Sequence, residues 1–484
     1  MRTARGILEA RQRSILASHR RIAAARETLM NKKTVSRREF IGVTAGAAAG
    51  AAGATMVGKP LFANAIQLKN SVVVQPSAPV RFGIIGVGMQ GAGLLDTAIR
   101  LPGVECVGAS DVYDGRHLLA RQITGKSDLF VTRKYHELLT NRNVDCIVAA
   151  VPDHWHRQIV VDACNAGKDV YIEKPMSHSA AEGVDMIDAA RKTNRIVQVG
   201  SQRVSSLVCA KAKEMIAAGM LGDLMLIEGS MGRNDACGAW QYSPPPDLSP
   251  ANLDWDTWLG SAPKHAFDPN LFARWRSTKE YGSGVAGDLL VHLVSGMMFM
   301  MGINDAPNYA AAVGGIRHWK DGRNMPDVHA VNYYWGDLPV YLRLNLGNES
   351  PEAYRFAGSK GTLEVTSSAV TFTPQAGFDT YPCYYAGSYE RKARDEYVAK
   401  WHAVNDAKVA AASTQATITY RGDDYDDIRP HLQTFFNAVR TRQPVVEDVV
   451  FGHHAALACH MANESYFRRT SVTWDEATKT IKST

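Results

Sequence analysis

Three side chains have the types and positions that proton chemistry requires: Lys174, Asp288 and His292. Lys174 ends the stretch DVYIEK and immediately precedes Pro175. A residue before proline is biased away from the helical region, so Lys174 is predicted at the carboxyl end of a buried strand, where open α/β sheets bind ligands. A lysine in an exposed turn is the alternative, because lysine is mostly a surface residue.

Asp288 and His292 lie four residues apart in the stretch GDLLVHL. On a helix this spacing places both side chains on one face. A carboxylate beside an imidazole can orient the ring and adjust its affinity for protons. Moving a hydride from a carbinol carbon requires a base within about 3 Å of the hydroxyl, and either His292 or Lys174 could be that base. A core histidine with a helical neighbour is the structural alternative.

A glycine motif, GVGMQG at residues 86–91, follows an apolar strand and opens a helix. Asp111 comes 20 residues after Gly91, at the end of the next apolar segment. This context is typical of a dinucleotide site, where glycines admit the pyrophosphate and the acid binds the ribose hydroxyls. The acid predicts NAD rather than NADP, although Arg116 is near enough to keep NADP open. The predicted cofactor contacts in this motif are Gly86, Gly88, Met89, Gln90, Gly91 and Asp111.

The elements that must position these residues alternate between strand and helix patterns from residue 79 to 201, which predicts βαβ units and a parallel sheet. Beyond residue 222, longer alternating strands predict a second sheet, and a closing helical pattern ends the predicted fold. We therefore predict an α/β protein: a Rossmann domain at 79–201, then an α+β domain at 202–470 with a large, mostly antiparallel open sheet. A proline-rich loop at 243–270 precedes the long strands of the second domain, with tryptophans suited to sugar rings or to packing between domains.

The chain resembles the glucose-fructose oxidoreductase / inositol dehydrogenase / MocA family (Gfo/Idh/MocA). Its matching motifs are the glycines at 86–91, Glu-Lys-Pro at 173–175, Asp-x-x-x-His at 288–292 and GSKGTLEV at 358–365. Members often have Thr-Pro-Asn-x-x-His where this chain has Val-Pro-Asp-x-x-His at 151–156. The resemblance implies catalytic roles for Lys174, Asp288 and His292, and cofactor contacts at Pro152, His156, Glu173 and Lys174.

The resemblance implies an NAD-dependent oxidoreductase that acts on a secondary hydroxyl of a sugar, polyol or glycoside. Lys174, Asp288 and His292 are then expected to contact the substrate, and Arg203, after the last strand of the first domain, either joins them or binds a loop carbonyl. Two alternatives stay open: a redox-neutral enzyme that cleaves a glycosidic bond through transient oxidation, and a non-catalytic cofactor-binding sensor. Dimers or tetramers through the second sheet are expected, because exposed apolar patches usually mark interfaces.

Most of the positive charge lies in a leader. Residues 1–65 carry 12 Lys and Arg against 3 Glu, so residues 66–484 have a net charge of −3 within the total of +6. This distribution argues against nucleic-acid binding. The leader resembles a twin-arginine export signal, with Arg37-Arg38, an uncharged stretch at 41–57 and cleavage after Ala65. We expect translation to start at Met30, export to the periplasm or beyond, and no membrane anchor after cleavage.

The cysteines and histidines do not predict a metal site. The seven cysteines are scattered without a C-x-x-C pair, and free thiols are expected. His154, His156, His453 and His454 have no accompanying cysteine or carboxylate pattern typical of zinc ligands, so no metal is predicted.

Overall fold

Two β-sheets are built by residues 78–422 and 426–484, the part of the chain that this computed structural model describes. The predicted leader, residues 1–65, lies outside the described residues, and so does the prediction of its cleavage. The two sheets follow one another along the chain, and this order confirms the predicted fold class.

The first sheet is parallel throughout, with strand order β3-β2-β1-β4-β5-β6. Its strands are β1 Val80–Ile85, β2 Val104–Ser110, β3 Phe130–Thr132, β4 Cys146–Ala149, β5 Asp169–Glu173 and β6 Val197–Gly200. This order is that of doubly wound dinucleotide-binding domains, and it reverses between β1 and β4. Ligands bind in such folds at the carboxyl edge beside that reversal, so the glycine motif after β1 and Lys174 after β5 share one edge.

Helices cover both faces of this sheet, as parallel sheets require. They are α1 Met89–Ala98, α2 Asp114–Thr124, α3 His136–Thr140, α4 His156–Asn165 and α5 Ala180–Thr193. The next helix, α6 Leu207–Ala217, packs instead against the second sheet. Helix α5 begins with a capping box, in which the Ser179 side chain accepts from the Glu182 N–H and the Glu182 side chain accepts from the Ser179 N–H. The strands between the helices are apolar because both of their faces are buried.

The second half of the chain supplies the larger sheet and the remaining helices. In chain order these are β7 Leu224–Gly232, α7 Trp255–Leu259, α8 Pro269–Arg274, α9 Val291–Met301, β8 Tyr309–Gly315, β9 Val328–Trp335, β10 Leu338–Asn345, β11 Ser350–Gly358, β12 Gly361–Thr366, β13 Ala369–Pro374, α10 Arg391–Ser413, β14 Ile418–Arg421, α11 Ile428–Thr441, α12 Val449–Arg468, β15 Val472–Asp475 and β16 Thr480–Ser483. The sheet order runs β13-β12-β11-β7-β10-β9-β8-β15-β16. Its pairs are antiparallel except that of β7 with β10.

The prediction that the closing helix ends the fold is wrong. Strands β15 and β16 follow α12 as an antiparallel pair, and β15 joins the edge of the second sheet at β8. The second sheet therefore continues past the predicted boundary at residue 470. Each of these strands has only four residues, so the alternation of apolar and polar side chains was too short to be recognised.

Helices α11 and α12 complete the first sheet, although the sequence assigned residues 202–470 to the second domain. Phe436 of α11 packs against Phe82 of β1, with ring centroids 5.5 Å apart. The N–H of Val199 in β6 donates to the Glu447 carbonyl at 3.0 Å, just before α12. Helix α12 also contacts the second sheet, where the Tyr333 hydroxyl donates to the Ala458 carbonyl at 2.8 Å. Helix α12 is thus shared by the two sheets.

Residues 243–281, most of which were predicted as a loop, form a small apolar unit that we call the insertion. It contains α7 and α8, and its side chains pack around Tyr113 of the β2–α2 turn. The Asp254 N–H donates to the Val112 carbonyl at 2.9 Å, and the Asp114 N–H donates to the Asn252 carbonyl at 3.0 Å. The insertion therefore lies against the carboxyl end of β2, where Asp111 is found. The tryptophans Trp255 and Trp258 stack within it, with ring centroids 4.8 Å apart.

Two further properties concern the described residues as a whole. None of the helices in residues 78–422 and 426–484 is long and apolar enough to cross a membrane. All seven cysteines are described, and they are free thiols, of which Cys237 and Cys383 are exposed.

Candidate active site

The glycine motif forms a tight turn between β1 and α1. Gly86 has φ +85°, and a Cβ there would lie 2.3 Å from the Ala150 carbonyl oxygen. At Gly91 a Cβ would lie 2.0 Å from the Gly86 carbonyl oxygen, so the helix could not approach the turn with any side chain at 91. Both positions require glycine, for the left-handed backbone and for close packing respectively.

The amino terminus of α1 fits a dinucleotide pyrophosphate. Its N-cap is Gly88, no side chain caps it, and no acid lies in its first turn. Such a terminus presents free N–H groups and a positive dipole end to an anion. Met89, in that first turn, has 68% of its surface exposed at the mouth of the site. The residues present therefore suit the predicted cofactor.

Asp111 stands at the end of β2, as predicted, and is buried. One carboxylate oxygen accepts from the Val87 N–H at 2.8 Å, and the other accepts from the Tyr113 N–H at 3.0 Å. A carboxylate has about four lone-pair sites, so ribose hydroxyls can still bind to it. Arg116 also approaches Asp111 at 3.4 Å and packs against Gly88 and the ring of Phe272 from the insertion. Arg116 is therefore as close to the predicted ribose site as the sequence suggested when it left NADP open.

Lys174 and Asp288 are brought together from the two halves of the chain. The Lys174 ammonium donates to the Asp288 carboxylate at 2.9 Å and to the Asp288 carbonyl at 2.6 Å. The same carboxylate oxygen accepts from Arg276 Nε at 3.2 Å. The side chains of Lys174 and Asp288 are both mostly buried, with exposures of 13% and 16%. The carboxylate therefore holds Lys174 at the carboxyl edge of the first sheet.

His292 lies in the first turn of α9, four residues after Asp288, and is partly exposed. Its Nδ1 is buried without a hydrogen-bond partner among the described residues. Its carbonyl accepts from the Tyr354 hydroxyl at 3.1 Å, which fixes this backbone to the second sheet. Burial and the neighbouring cations Lys174 and Arg203 hold the pKa of His292 well below its usual range. The ring is therefore neutral at neutral pH and can accept a proton.

Asp288 stays ionised. Burial acts to raise its pKa, but the charges of Lys174 and Arg276 outweigh that effect and hold the pKa well below the usual range. The Asp288 carboxylate accepts from Lys174 and Arg276 and makes no hydrogen bond with the imidazole, so it does not orient the ring as expected. Residues 286–290 are a π-helix, not an α-helix, so the four-residue spacing does not place the two side chains as predicted. The influence of Asp288 on His292 is electrostatic.

Glu173 and His156, for which cofactor contacts are predicted, also connect parts of the site to one another. Glu173 is buried and accepts from Gln90 Nε2 at 3.0 Å and from Gln202 Nε2 at 3.2 Å, and burial raises its pKa. His156 is fully buried, with its two ring nitrogens 2.7 Å and 3.0 Å from the carbonyls of Pro175 and Val151. These contacts tie the glycine helix and the Lys174 turn together. Pro152 is partly exposed at the end of β4, beside the glycine turn.

Arg203 does not occupy the predicted substrate position. Its Nε and Nη2 donate to Glu352 at 2.9 Å and 2.7 Å, and its Nη1 donates to Asp427 at 3.0 Å. Burying a guanidinium requires such compensation, and these acids come from distant parts of the sequence. Sequence reasoning also missed Arg276, the second cation on Asp288, because nothing in the stretch RWRS distinguishes it from a surface arginine.

Histidines of the site region do not form a metal centre. Within residues 78–422 and 426–484, no group of three or more His, Cys, Asp and Glu side chains is arranged to hold a metal ion. The ring nitrogens of His154 lie 3.0 Å and 3.3 Å from the carbonyls of Trp258 and Tyr281 in the insertion. This histidine therefore joins the β4 edge to the insertion.

Comparison with curated proteins gives matches over part of the chain. Inositol 2-dehydrogenase of Salmonella typhimurium is 30% identical over 155 residues, which cover 31% of this chain and 45% of that protein. Levoglucosan dehydrogenase of Pseudarthrobacter phenanthrenivorans is 24% identical over 242 residues, covering 49% of this chain and 53% of that protein. The chain spans less than half the length of the first curated relatives that it matches.

Solved structures share the fold over a longer span. Levoglucosan dehydrogenase in complex with NADH and levoglucosan superposes with a TM-score of 0.58 at 16% identity, over 82% of this chain and 99% of that chain. Aldose-aldose oxidoreductase from Caulobacter crescentus gives 0.58 at 14% identity, over 82% and 99%. The family model described as "Oxidoreductase family, NAD-binding Rossmann fold" matches residues 80–201. The first sheet and its helices therefore match the NAD-binding Rossmann domain of this oxidoreductase family.

Proposed function

We propose that the protein is an NAD-dependent oxidoreductase that acts on a secondary hydroxyl of a sugar, polyol or glycoside. The observation that carries the proposal is the meeting of Lys174, Asp288 and a neutral His292 at the carboxyl edge of a dinucleotide-binding sheet. The names of the relatives, inositol 2-dehydrogenase and levoglucosan dehydrogenase, support the same class of substrate.

Each residue has a distinct role in this proposal. A nicotinamide dinucleotide bound at the glycine turn would supply the hydride acceptor. Lys174, held by Asp288, donates a hydrogen bond to the substrate hydroxyl oxygen and stabilises negative charge as it develops there. His292 accepts the hydroxyl proton as the carbon loses its hydride. Asp288 and Arg276 keep Lys174 in place, and the packed insertion excludes water from one side of the site.

Hydride transfer is tested by incubating the protein with NAD and a panel of sugars and polyols. Reduction of NAD is measured from the absorbance of NADH. The wild-type protein is expected to reduce NAD with at least one member of the panel. Aryl glycosides belong in the same panel, because release of the aryl group without net reduction of NAD would point to the redox-neutral alternative. A protein that binds NAD but transforms no member of either set would contradict the proposed activity.

We further propose that the protein is exported folded and retains its cofactor. Free NAD is not expected outside the cytoplasm, so an enzyme that released NADH there would stop after one turnover. The retained NADH is reoxidised in place: it passes its hydride to a second sugar or ketone, or back to the first substrate after another bond has been broken. Retention for hours corresponds to nanomolar or tighter binding, about −12 kcal/mol or more favourable. The contacts of the insertion with the β2 edge support such retention. The test is to purify the protein without added nucleotide, denature it and measure NAD, where near-stoichiometric release is expected and an empty protein would contradict retention.

Replacing Asp111 is expected to change the choice between NAD and NADP. The carboxylate repels a 2′-phosphate, while Arg116, 3.4 Å away, would attract one. Asp111→Ser is expected to raise the NAD Kd by about 10- to 100-fold and to lower the NADP Kd, since charged hydrogen bonds are worth about 1.5–3 kcal/mol. Titration of both nucleotides by fluorescence measures this shift. Asp114→Ser, an exchange in the next turn, is the matched control, and unchanged selectivity in Asp111→Ser would contradict the assignment.

We also propose that the outer face of the second sheet is an interface between copies of the chain. Met225, Val313 and Tyr334 are exposed on strands of this sheet, with exposures of 62%, 72% and 45%. Dimers or tetramers are expected by light scattering at micromolar concentration, and Tyr334→Glu is expected to shift the mass towards that of the monomer, because burying an unpaired charge is costly. A monomeric wild-type protein would contradict this proposal.

A further inference from the structure

The insertion is attached to the loops that follow both β2 and β4. In the loop after β2, the Tyr113 hydroxyl donates to the Asp247 carboxylate of the insertion. In the loop after β4, Trp155 Nε1 donates to the Trp258 carbonyl of the insertion at 3.0 Å. We call these contacts the β2 attachment and the β4 attachment. Because β2 and β4 are the two neighbours of β1, the insertion is held on both sides of the strand that leads into the glycine turn.

The β4 attachment is closely packed. Both ring nitrogens of His154 face carbonyls of the insertion, at 3.0 Å from Trp258 and 3.3 Å from Tyr281, and all three side chains are buried. Gly260 lies against the indole of Trp155, where a Cβ would come within 2.8 Å of the ring. The insertion can therefore leave this loop only by breaking hydrogen bonds and separating packed aromatic side chains.

Between the two attachments the insertion reaches the glycine turn. The Arg116 guanidinium lies over the ring of Phe272 in α8, 4.9 Å from its centroid. The same guanidinium covers Gly88, where a Cβ would lie 3.4 Å from its central carbon. Gly88 is the N-cap of α1, where the pyrophosphate is expected to bind. Doubly wound folds bind a dinucleotide across the crevice where the strand order reverses, here between β1 and β4, so the insertion extends along the edge that the cofactor would occupy.

The insertion also contributes to the catalytic pair. Arg276 belongs to it and donates from Nε to the Asp288 carboxylate at 3.2 Å. Asp288 in turn accepts from the Lys174 ammonium at 2.9 Å. The element that joins the two sides of the cofactor edge is therefore the one that supplies the second cation on Asp288.

We propose that the insertion is a gate for the cofactor, so that NAD enters and leaves only when the insertion detaches from the loop after β2 or from the loop after β4. Its hydrogen bonds and buried aromatic contacts make such detachment rare, as for other lids that open by local separation. A gate slows entry as much as exit, so it lengthens retention without tightening binding. The inference rests on the proposed function, because it states how the same site keeps its cofactor.

The experiment measures entry and exit separately. Exit is followed as the loss of NADH fluorescence when excess NAD is added to the NADH-loaded protein, and entry as the gain of fluorescence when NADH is added to protein freed of nucleotide by dialysis against charcoal. Tyr113→Phe combined with Trp155→Phe removes one donor from each attachment and keeps an aromatic ring at both positions. Both rate constants are expected to rise by about 5- to 100-fold, the range for loss of such hydrogen bonds, while the Kd changes by less than about threefold.

The matched control is Tyr333→Phe combined with Trp335→Phe. It also removes two aromatic donors, which bind the Ala458 and Asp305 carbonyls at 2.8 Å each, but both donors lie on β9 of the second sheet. Its rate constants for NADH are expected to equal those of the wild-type protein. Each single variant of the test pair carries the same test, and the one that speeds exchange more identifies the attachment that opens.

Other results would overturn the gate. Rate constants in the double variant and in both single variants that equal those of the wild-type protein would show that the insertion does not control passage. A faster exit with unchanged entry, and hence a raised Kd, would show that its contacts act on the bound cofactor instead. Either result leaves hydride transfer standing, because the sugar panel measures it separately. A wild-type protein that binds no NADH would overturn the proposed function, and this inference with it.

Discussion

Alanine in place of Lys174 or His292 is expected to lower kcat by about 10²- to 10⁴-fold, the usual contribution of a positioned acid or base. Lys174→Ala removes the ammonium that stabilises charge on the substrate oxygen, and His292→Ala removes the neutral base. Affinity for NADH is expected to change by less than about threefold, because the glycine turn and Asp111 remain. Steady-state kinetics on the substrate found by the screen, together with NADH titration, measure both quantities.

The control for this prediction lies on α10, where Lys400 and His402 are exposed and far from the site in sequence. Alanine at either position is expected to leave kcat at the wild-type value. The double variant at 174 and 292 is expected to lose less than the sum of the two single losses, since both residues act on one proton. Wild-type rates in both single variants would show that the site has been misassigned.

The pH profile adds a check that is independent of substitution. A base with a pKa near 6.5 would lose activity as the pH falls from 7 to 6. Because the pKa of His292 lies well below that range, kcat of the wild-type protein is expected to stay level across this interval. A titration midpoint near 6.5 that disappears in His292→Gln would contradict the neutral imidazole.

Acid is expected to destabilise the fold strongly between pH 6.5 and 4. Five other buried histidines have pKa values lowered mainly by burial, to about 4 or about 3: His154, His329, His431, His453 and His460. A folded-state pKa below the unfolded value of about 6.5 means that the unfolded chain binds the proton first. Stability present above pH 6.5 is therefore lost as the pH falls towards the folded-state pKa.

The size of this effect exceeds what most domains can tolerate. A histidine with a pKa of about 4 in the folded state loses about 3 kcal/mol of stabilisation by pH 4, against a total stability of about 5–15 kcal/mol. The lowered pKa of Asp288 also reduces stability as the pH falls, at still lower pH. The raised pKa of the buried Glu447 has the opposite effect, but it is only one group against five histidines. The free energy of unfolding from denaturant titrations is expected to fall by several kcal/mol between pH 7 and 5.

One histidine can be tested separately. His431→Gln is expected to reduce proton uptake on unfolding at pH 5 by about one, so its stability depends less steeply on pH than that of the wild-type protein. His402→Gln, which changes an exposed histidine on α10, is the control and is expected to keep the wild-type slope. Stability that is constant from pH 7 to 5 would contradict the neutral state of these buried rings.

The first sheet could be predicted because its signals are local. Apolar β-branched runs, the glycine turn and the alternation with helices are each contained in a short window of sequence, and the confirmed fold class depends on them. Strand β3 has three residues, and β15 and β16 have four each, so their patterns were too short to recognise. The contribution of α11 and α12 to the first core is a long-range contact that periodicity does not report.

The candidate site was predictable as a set of positions but not as a set of partners. Because Lys174 follows a strand of the parallel sheet, the sequence placed it at the edge that holds the glycine turn, as the structure shows. The structure adds that Asp288 is its hydrogen-bond partner there. Which acid pairs with which cation depends on the packing of the second sheet, so the ion pairs of Arg203 and Arg276 had no local signal. The π-helix at residues 286–290 likewise has no local sequence signal. Because of it, the four-residue spacing of Asp288 and His292 does not place their side chains as an α-helix would.

The closing helices also determine when the first domain can be completed during synthesis. Phe82 and Phe436, which pack together, are separated by about 350 residues of chain. At about 5–20 residues per second, roughly 20–70 s pass between their emergence from the ribosome. Throughout that interval the sheet face that α11 covers remains open on the nascent chain. The first domain to be translated is therefore among the last to be completed.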